Sequence, residues 1–286
     1  MAALQSPPPV ALRRLAEADL PAASALTGSF RWPHRLADWA FMFGLGEGVA
    51  AEADGRLVAT GMLWRFGADR AAVGMIGVAP ELQGRGIGRT VMARLLEMAG
   101  DRAIGLYATP EGEPLYSGLG FAALGRARQL HGAVSQSALQ PLPDGDRLRP
   151  IGRSDAEALA ALDRQAGGQE REALIQALLQ AGTTVVLDRG GRPVGFAVQR
   201  RFGRGQVVGP VVAPDPAGAK ALISHFLNSD PGQFVRLDVP DDGGLADWLA
   251  SLGLADAGPA IHMVRGSAPE PAGPARRFGL VSQAFG

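Results

Sequence analysis

The sequence has no cysteine in its 286 residues, and its 28 basic residues include a single lysine, Lys220. Without cysteine the chain can form no disulfide, no catalytic thiolate and no cysteine-ligated zinc site. It also has no secretory hydrophobic region and no run near the ~20 apolar residues of a membrane-spanning helix. We therefore expect a cytoplasmic protein that does not contact a membrane.

The charge is balanced, because 28 acidic residues offset the 28 basic ones and give a formal net charge of +0. No overall field would draw such a protein onto nucleic acid or an anionic membrane, so neither is expected as a partner. His131, His225 and His262 lie far apart in the sequence, with no Asp or Glu at ligand spacing. No metal site is predicted from them.

The length favours two domains, since a domain typically has about 100–200 residues. Both halves show the same order of predicted elements, and Gly77-Val78-Ala79-Pro80 and Val211-Val212-Ala213-Pro214 occupy the same place in it. This repetition suggests a tandem duplication. We place one domain at residues 1–136 and the other at residues 146–286, with a linker containing Pro and Gly from Ser135 to Asp146.

Each half is predicted to form a mostly antiparallel sheet flanked by helices, an α/β arrangement of the mixed-sheet (α+β) kind. The Asp54-Gly55 pair between two apolar runs is typical of a hairpin turn. The apolar spacing from Thr90 to Ala99 is that of a helix packed on a sheet. We also expect a helix over Glu17–Leu26 and an added strand over Phe278–Phe285.

A glycine-rich segment, Gln83-Gly84-Arg85-Gly86-Ile87-Gly88, lies between the strand that ends near Val78 and the next helix. Glycines at this spacing allow successive backbone N–H groups to point into one concavity, and the helix start adds partial positive charge. Such a loop suits a pyrophosphate, and a plain surface turn is the alternative. The spacing does not match a G-x-G-x-x-G dinucleotide turn, and the chain has no Gly-Lys-Ser/Thr of a Walker A loop.

The segment from Val78 to Gly88 resembles the motif of the GNAT superfamily of acyl-CoA-dependent N-acyltransferases, and the segment from Leu115 to Phe121 is similar to a second motif of that family. The element order from Val10 to Val134 resembles the family fold, and the whole chain resembles the two-GNAT-domain proteins of bacteria. The resemblance implies an N-acetyltransferase with acetyl-CoA as co-substrate and no metal. Its acceptor would be a small-molecule amine or a peptide amine, and the protein would be a monomer or a homodimer.

The resemblance also implies roles for individual residues. The backbone from Ile76 through Gly77 to Val78 would bind the pantetheine arm, and the Val78 N–H would polarise the thioester carbonyl. Tyr116 would donate a proton to the departing CoA thiolate; a packing role is its alternative. The residues implied for the pyrophosphate are Gln83, Gly84, Arg85, Gly86, Ile87, Gly88, Arg89 and Thr90.

The sequence departs from the family pattern in two places. Some members carry a glutamate on the motif strand as general base, but Ala71–Ala79 contains none, and the nearby Glu47, Glu52, Glu81 and Glu111 match no family position. The base is therefore unassigned. The second half has Pro214-Asp215-Pro216-Ala217-Gly218-Ala219 in place of the loop, and proline has no N–H to donate. We predict that this half has lost CoA binding.

Three further questions stay open from the sequence. Phe30, Trp32 and His34 could line the amine site, although packing is the favoured interpretation. Arg200-Arg201 and Arg276-Arg277 are interpreted as solvated strand ends, although an arginine near the cofactor could pair with its 3′-phosphate. The alternatives to an acetyltransferase are an acyl-CoA or metabolite sensor without turnover and an N-acyltransferase that uses a longer acyl-CoA.

Overall fold

The computed structural model describes residues 10–135 and 137–286. Its elements repeat in the same order in the two halves, as the sequence pattern predicts. The first half contains β1 Ala11–Arg14, α1 Leu20–Ser29, α2 Leu36–Phe43, β2 Glu47–Ala53, β3 Arg56–Phe66, β4 Arg70–Val78, α3 Ile87–Ala99, β5 Ala103–Ala108, α4 Glu113–Ser117 and β6 Ala122–Ala133. The second half contains β7 Asp146–Pro150, α5 Ala156–Gly167, α6 Glu172–Ala181, β8 Thr183–Arg189, β9 Arg192–Phe202, β10 Gly205–Ala213, α7 Pro216–Ser229, β11 Phe234–Pro240, α8 Ala246–Ser251, β12 Ala255–Arg265 and β13 Arg276–Gly279.

Local sequence explains the best-defined turns and the main helix. Asp54 and Gly55 both have positive φ, at 51° and 72°, which is the conformation that a two-residue type I′ hairpin requires. On α3 the predicted stripe is buried, with Val91, Met92 and Leu95 packed against the sheet. Both features follow from residues close together in the chain.

All the strands belong to one sheet, in which the two halves exchange their last strands. The order is β1-β2-β3-β4-β5-β12-β6-β11-β10-β9-β8-β7, and β13 pairs with β10 beside this path. Thus β12, from the second half, pairs with β5 of the first half, and β6 pairs with β11 of the second. Each half therefore contributes its last strand to the part of the sheet formed by the other half.

Three apolar clusters hold the molecule together. One lies under α3 in the first half and another under α7 in the second. The third is shared between the halves and includes Trp39, Trp64, Phe196 and Phe285. Because this shared cluster joins α2 and β3 to β9 and the end of the chain, the two halves form one continuous core.

Several expectations about these elements need correction. The predicted helix over Glu17–Leu26 divides into a 3-10 turn at Glu17–Asp19 and α1, because Pro21 fits the first turn of a helix that starts at Leu20. The predicted strand over Phe278–Phe285 is only Arg276–Gly279, and the residues after it form a buried irregular tail.

Within the described residues, no helix is long and apolar enough to cross a membrane.

Candidate functional site

The parallel strands β4 and β5 separate partway along their length. They pair only from Arg70 opposite Ala103 to Ala72 opposite Gly105. Beyond that point a bulge at Met75, whose φ is 54°, bends β4, and the Thr60 hydroxyl donates to the Met75 carbonyl at 2.9 Å. The backbone of β4 therefore has an open edge in the described structure.

Hydrogen bonding fixes which backbone groups face this gap. Ala79 N donates to Val58 O at 2.8 Å, so Ala59 and Val78 form the pair that does not exchange hydrogen bonds. The Val78 N–H accordingly points away from β3 and into the gap. Ile76, Gly77 and Val78, the residues predicted for this role, all line the cavity that begins there.

The glycine-rich loop connects this edge to α3. Gly84 and Gly86 have φ of 73° and 82°, and a Cβ on either would meet no atom within 4 Å, so backbone conformation alone accounts for glycine there. Gln83 Nε2 donates to the Val78 carbonyl at 3.1 Å and ties the loop to the strand. The N–H groups from Gly84 to Arg89 donate to no acceptor among the described residues, which makes this a ready anion site.

Most of the predicted loop residues border one cavity of about 1090 Å³. Arg85 is exposed and does not line it. Thr90 also lies outside the lining, and its hydroxyl donates to the Gly86 carbonyl at 3.2 Å. The predicted residues that do line the cavity here are Gln83, Gly84, Gly86, Ile87, Gly88 and Arg89.

Tyr116 faces the same cavity from the short helix α4. Its ring is only 9% exposed and meets Phe121 edge-on, with ring centres 6.1 Å apart. Burial raises the pKa of the Tyr116 hydroxyl to about 12. The hydroxyl is therefore protonated at neutral pH and can act as a proton donor.

The aromatic loop between α1 and α2 both packs and lines the cavity. Phe30 and Trp32 meet edge-on at 5.5 Å, and Trp32 and His34 do so at 6.0 Å. The Nδ1 atom of His34 is buried and has no hydrogen-bond partner in the described structure. Burial, with a contribution from Arg236, lowers the pKa of His34 to about 4, so the ring is neutral at neutral pH.

Of the four carboxylates considered as bases, only Glu111 lines the cavity. Glu47 is paired with Arg14 and Arg65 on the sheet edge. Glu52 is paired with Arg13, which lowers the pKa of that carboxyl. Glu81 is exposed beside the loop, outside the lining. No other carboxylate within residues 10–135 and 137–286 belongs to this lining.

Sequence reasoning missed the residues that long-range pairing brings to the cavity. Tyr107 of β5 lines it and stacks on His262 of β12, with ring centres 4.8 Å apart. Gln129, Arg236 and Gln283 also line it, although Arg236 and Gln283 come from the second half. No short motif surrounds these residues, and the strand exchange that places them was not visible in the sequence.

In the second half, the equivalent gap is filled by the chain itself. Strands β10 and β11 pair in parallel only at Gln206–Val207. Beyond that point β13 pairs with β10, and Leu280 N donates to the Asp238 carbonyl of β11 at 2.8 Å. At the start of α7, the Asp215 carboxylate accepts from Gly218 N at 2.8 Å. The N-terminus of α7 is thus capped by a side chain of the chain itself, whereas the N-terminus of α3 is left open to an anion.

The two halves each match a sequence profile of acetyltransferases. Residues 11–121 match the Acetyltransferase (GNAT) family, and residues 159–277 match an Acetyltransferase (GNAT) domain. The chain is 29% identical over 222 residues to the uncharacterized N-acetyltransferase YitH of Bacillus subtilis, a match that covers 75% of this chain and 76% of the relative.

Solved structures share the arrangement of the whole chain. A candidate acetyltransferase from Pyrococcus horikoshii superposes with a TM-score of 0.78 at 19% identity, covering 99% of this chain and 97% of the other. A tandem GNAT protein from the clavulanic acid biosynthesis pathway superposes with a TM-score of 0.62 at 17% identity, covering 93% and 100%. At these identities the likeness is one of fold, and that fold is a tandem one.

Proposed function

The chain belongs to the GNAT acetyltransferase family, with one GNAT domain in each half, and from this premise we propose that its first half transfers an acetyl group from acetyl-CoA directly to a primary amine. One observation carries the proposal: Gly84 and the segment from Gly86 to Arg89, whose N–H groups have no acceptor among the described residues, line the same cavity as the β4 edge and Tyr116. An anion site, an open strand edge and a proton donor are together what acetyl transfer from CoA requires.

Different residues of the first half would bind acetyl-CoA and assist the transfer. Acetyl-CoA, when bound, supplies a thioester whose carbonyl carbon is attacked and whose sulfur departs. The Gly84–Arg89 amides would hold the pyrophosphate, and the open backbone from Ile76 to Val78 would bind the pantetheine amides. The Val78 N–H would polarise the thioester carbonyl, and Tyr116 would give its proton to the departing sulfur.

His34 has a narrower role in this proposal. Because its pKa is about 4, its neutral ring can accept a hydrogen bond from the incoming amine but is too weak a base to keep the amine proton at neutral pH. His34 would then orient the amine, and the proton would leave to solvent.

Packing near the acyl end supports acetyl over a longer acyl group. A Cβ placed on Gly77 would lie 2.5 Å from Cε2 of Phe30, so the ring rests directly on the strand. This contact restricts the space for an extended acyl chain beside β4.

The experiment compares two glycine variants that impose the same backbone strain. Gly86 and Gly55 have φ of 82° and 72°, and at both positions a Cβ meets nothing within 4 Å. Gly86→Ala and Gly55→Ala should therefore each lower stability by about 1 kcal/mol. Only Gly86 belongs to the loop, so only Gly86→Ala should weaken CoA binding.

CoA binding is measured by isothermal titration calorimetry on the full chain, and turnover by thiol release from acetyl-CoA with a panel of amines. We expect one CoA per chain, because the gap in the second half is filled by β13. Equal CoA affinity in the two variants would contradict the assignment of the loop. Tight CoA binding without turnover on any amine would favour the sensor.

A further inference from the structure

The far wall of the cavity carries a buried positive charge. The charged side chains that line the cavity are Arg31, Arg89, Glu111 and Arg236. The first three are exposed, whereas Arg236 of β11 is only 8% exposed. The buried part of the cavity therefore presents an arginine and no carboxylate of its own in the described lining.

Asp238 holds the Arg236 guanidinium in a fixed orientation. Arg236 Nε and Nη2 each donate to a carboxylate oxygen of Asp238 at 3.0 Å. Asp238 is itself held by Gln283 Nε2 at 3.1 Å, and the ring of Phe202 lies 5.4 Å from the guanidinium carbon. Nη1 makes no hydrogen bond to any described residue, so this end of the fork is left for a ligand.

The surrounding charges do not balance. Arg200 is 6% exposed, its Nε has no hydrogen-bond partner among the described residues, and its Nη2 donates to the Val281 carbonyl at 3.4 Å. Asp38, whose charge acts on Arg200 more strongly than that of Asp238, is already paired with Arg35 at 2.6 Å. Three guanidinium groups, those of Arg35, Arg200 and Arg236, therefore face two carboxylates, those of Asp38 and Asp238. A buried excess of one positive charge is unfavourable unless an anion offsets it.

A row of aromatic rings connects this charge to the site of transfer. Phe30 rests on Gly77 of β4, and contacts pass from Phe30 through Trp32 to His34. His34 meets Phe202 edge-on at 5.4 Å, and Phe202 lies under Arg236. A small molecule lying along these rings could place one end at Arg236 and the other near β4.

We propose that the acceptor is an amine that also carries a carboxylate, and that Arg236 Nη1 binds this carboxylate. This inference rests on the proposed function. In the transfer, the amine nitrogen bonds to the acetyl carbon, the carbon–sulfur bond breaks, the amine loses one proton and the sulfur gains one. The acceptor carboxylate is unchanged, so Arg236 is a specificity residue contributed by the second half.

The experiment titrates the CoA complex of the full chain with the common amino acids, each beside its own carboxamide. CoA without an acetyl group allows binding to be measured apart from turnover. A charge-assisted hydrogen bond should make at least one amino acid bind about 10- to 100-fold more tightly than its carboxamide. Phosphoethanolamine, an amine that carries a phosphate, tests whether the site prefers a phosphate to a carboxylate.

The variants isolate the guanidinium. Arg236→Gln should abolish the preference for the carboxylate. Arg236→Lys keeps a cation beside Asp238 and should retain part of that preference, which covers the case in which the Gln variant does not fold. The matched control is Arg189→Gln, which removes an exposed arginine paired with Asp146 at 2.7 Å in the same half and should retain all of it.

The proposal is overturned if no amino acid binds more tightly than its carboxamide, if the preference survives Arg236→Gln, or if phosphoethanolamine binds more tightly than every carboxylate. Failure of the proposed function has a different signature: no thiol release from acetyl-CoA on any amine, or no CoA binding. A carboxylate preference in the binding assay would stand in the absence of turnover.

Discussion

Removing the Tyr116 hydroxyl tests the chemical step most directly. Tyr116→Phe leaves the buried ring against Phe121 in place and deletes only the group assigned as proton donor. A general acid contributes about 10²- to 10⁴-fold, so kcat should fall by that factor, or about 3–5 kcal/mol of transition-state stabilisation. Stability should change by about 1 kcal/mol or less, because the hydroxyl makes no hydrogen bond to any described residue that the substitution would break.

The chain provides a matched control, since Tyr107 is the other of its two tyrosines. Tyr107 lines the same cavity, and burial raises the pKa of its hydroxyl to about 12 as well. Its ring stacks on His262, at a distance of 4.8 Å. Tyr107→Phe makes the identical chemical change in the same cavity and should leave kcat nearly unaltered.

The assay is steady-state release of CoA thiol from acetyl-CoA with the best amine of the panel, accompanied by calorimetric titration with CoA. CoA affinity should be the same in both variants, because the loop binds through backbone groups. With a pKa of about 12 for Tyr116, the wild type should not lose activity below about pH 10 through ionisation of its acid. Full activity of Tyr116→Phe, or an equal loss in Tyr107→Phe, would refute the assignment.

Two further predictions concern substrate choice and pH. Removing the ring in Phe30→Ala should raise turnover of butyryl-CoA relative to acetyl-CoA, because the ring rests on Gly77; an unchanged ratio would place the acyl group elsewhere. Burial lowers the pKa of His34 and of His262 from 6.5 to about 4. The unfolded chain therefore binds more protons in this interval, and the free energy of unfolding should fall as pH drops from 6.5 to 4, by up to about 3 kcal/mol per histidine. Urea unfolding at several pH values in this interval measures the free energy of unfolding. That free energy should fall less steeply with decreasing pH in His34→Gln than in the wild type, and equal slopes would contradict the assignment to His34.

Two expectations from the sequence failed where burial decided the outcome. Of the four arginines interpreted as solvated strand ends, Arg201 and Arg276 are exposed, but Arg200 is 6% exposed and Arg277 is largely buried between the halves. The strand assigned to Phe278–Phe285 ends at Gly279, after which the chain fills the space between the halves. The residue types near a strand end do not show whether a segment distant in the sequence will bury them.

Features that depend on neighbouring residues could be predicted from the sequence. The Asp54-Gly55 turn, the stripe of α3 and the left-handed glycines of the loop depend on local backbone preference and helical period. The resemblance carried by these local motifs was sufficient to indicate the GNAT family and the repeated halves.

The way in which the two halves complete each other depends on long-range packing. Strands β6 and β12 end equivalent halves, and backbone groups offer the same donors and acceptors to either neighbour, so their exchange follows from long-range packing and not from local pattern. That packing carries Arg236 into the cavity of the first half and lays β13 in the gap of the second. The chain thus has two copies of one fold. The first copy opens onto a cavity, and the second supplies part of the wall of that cavity.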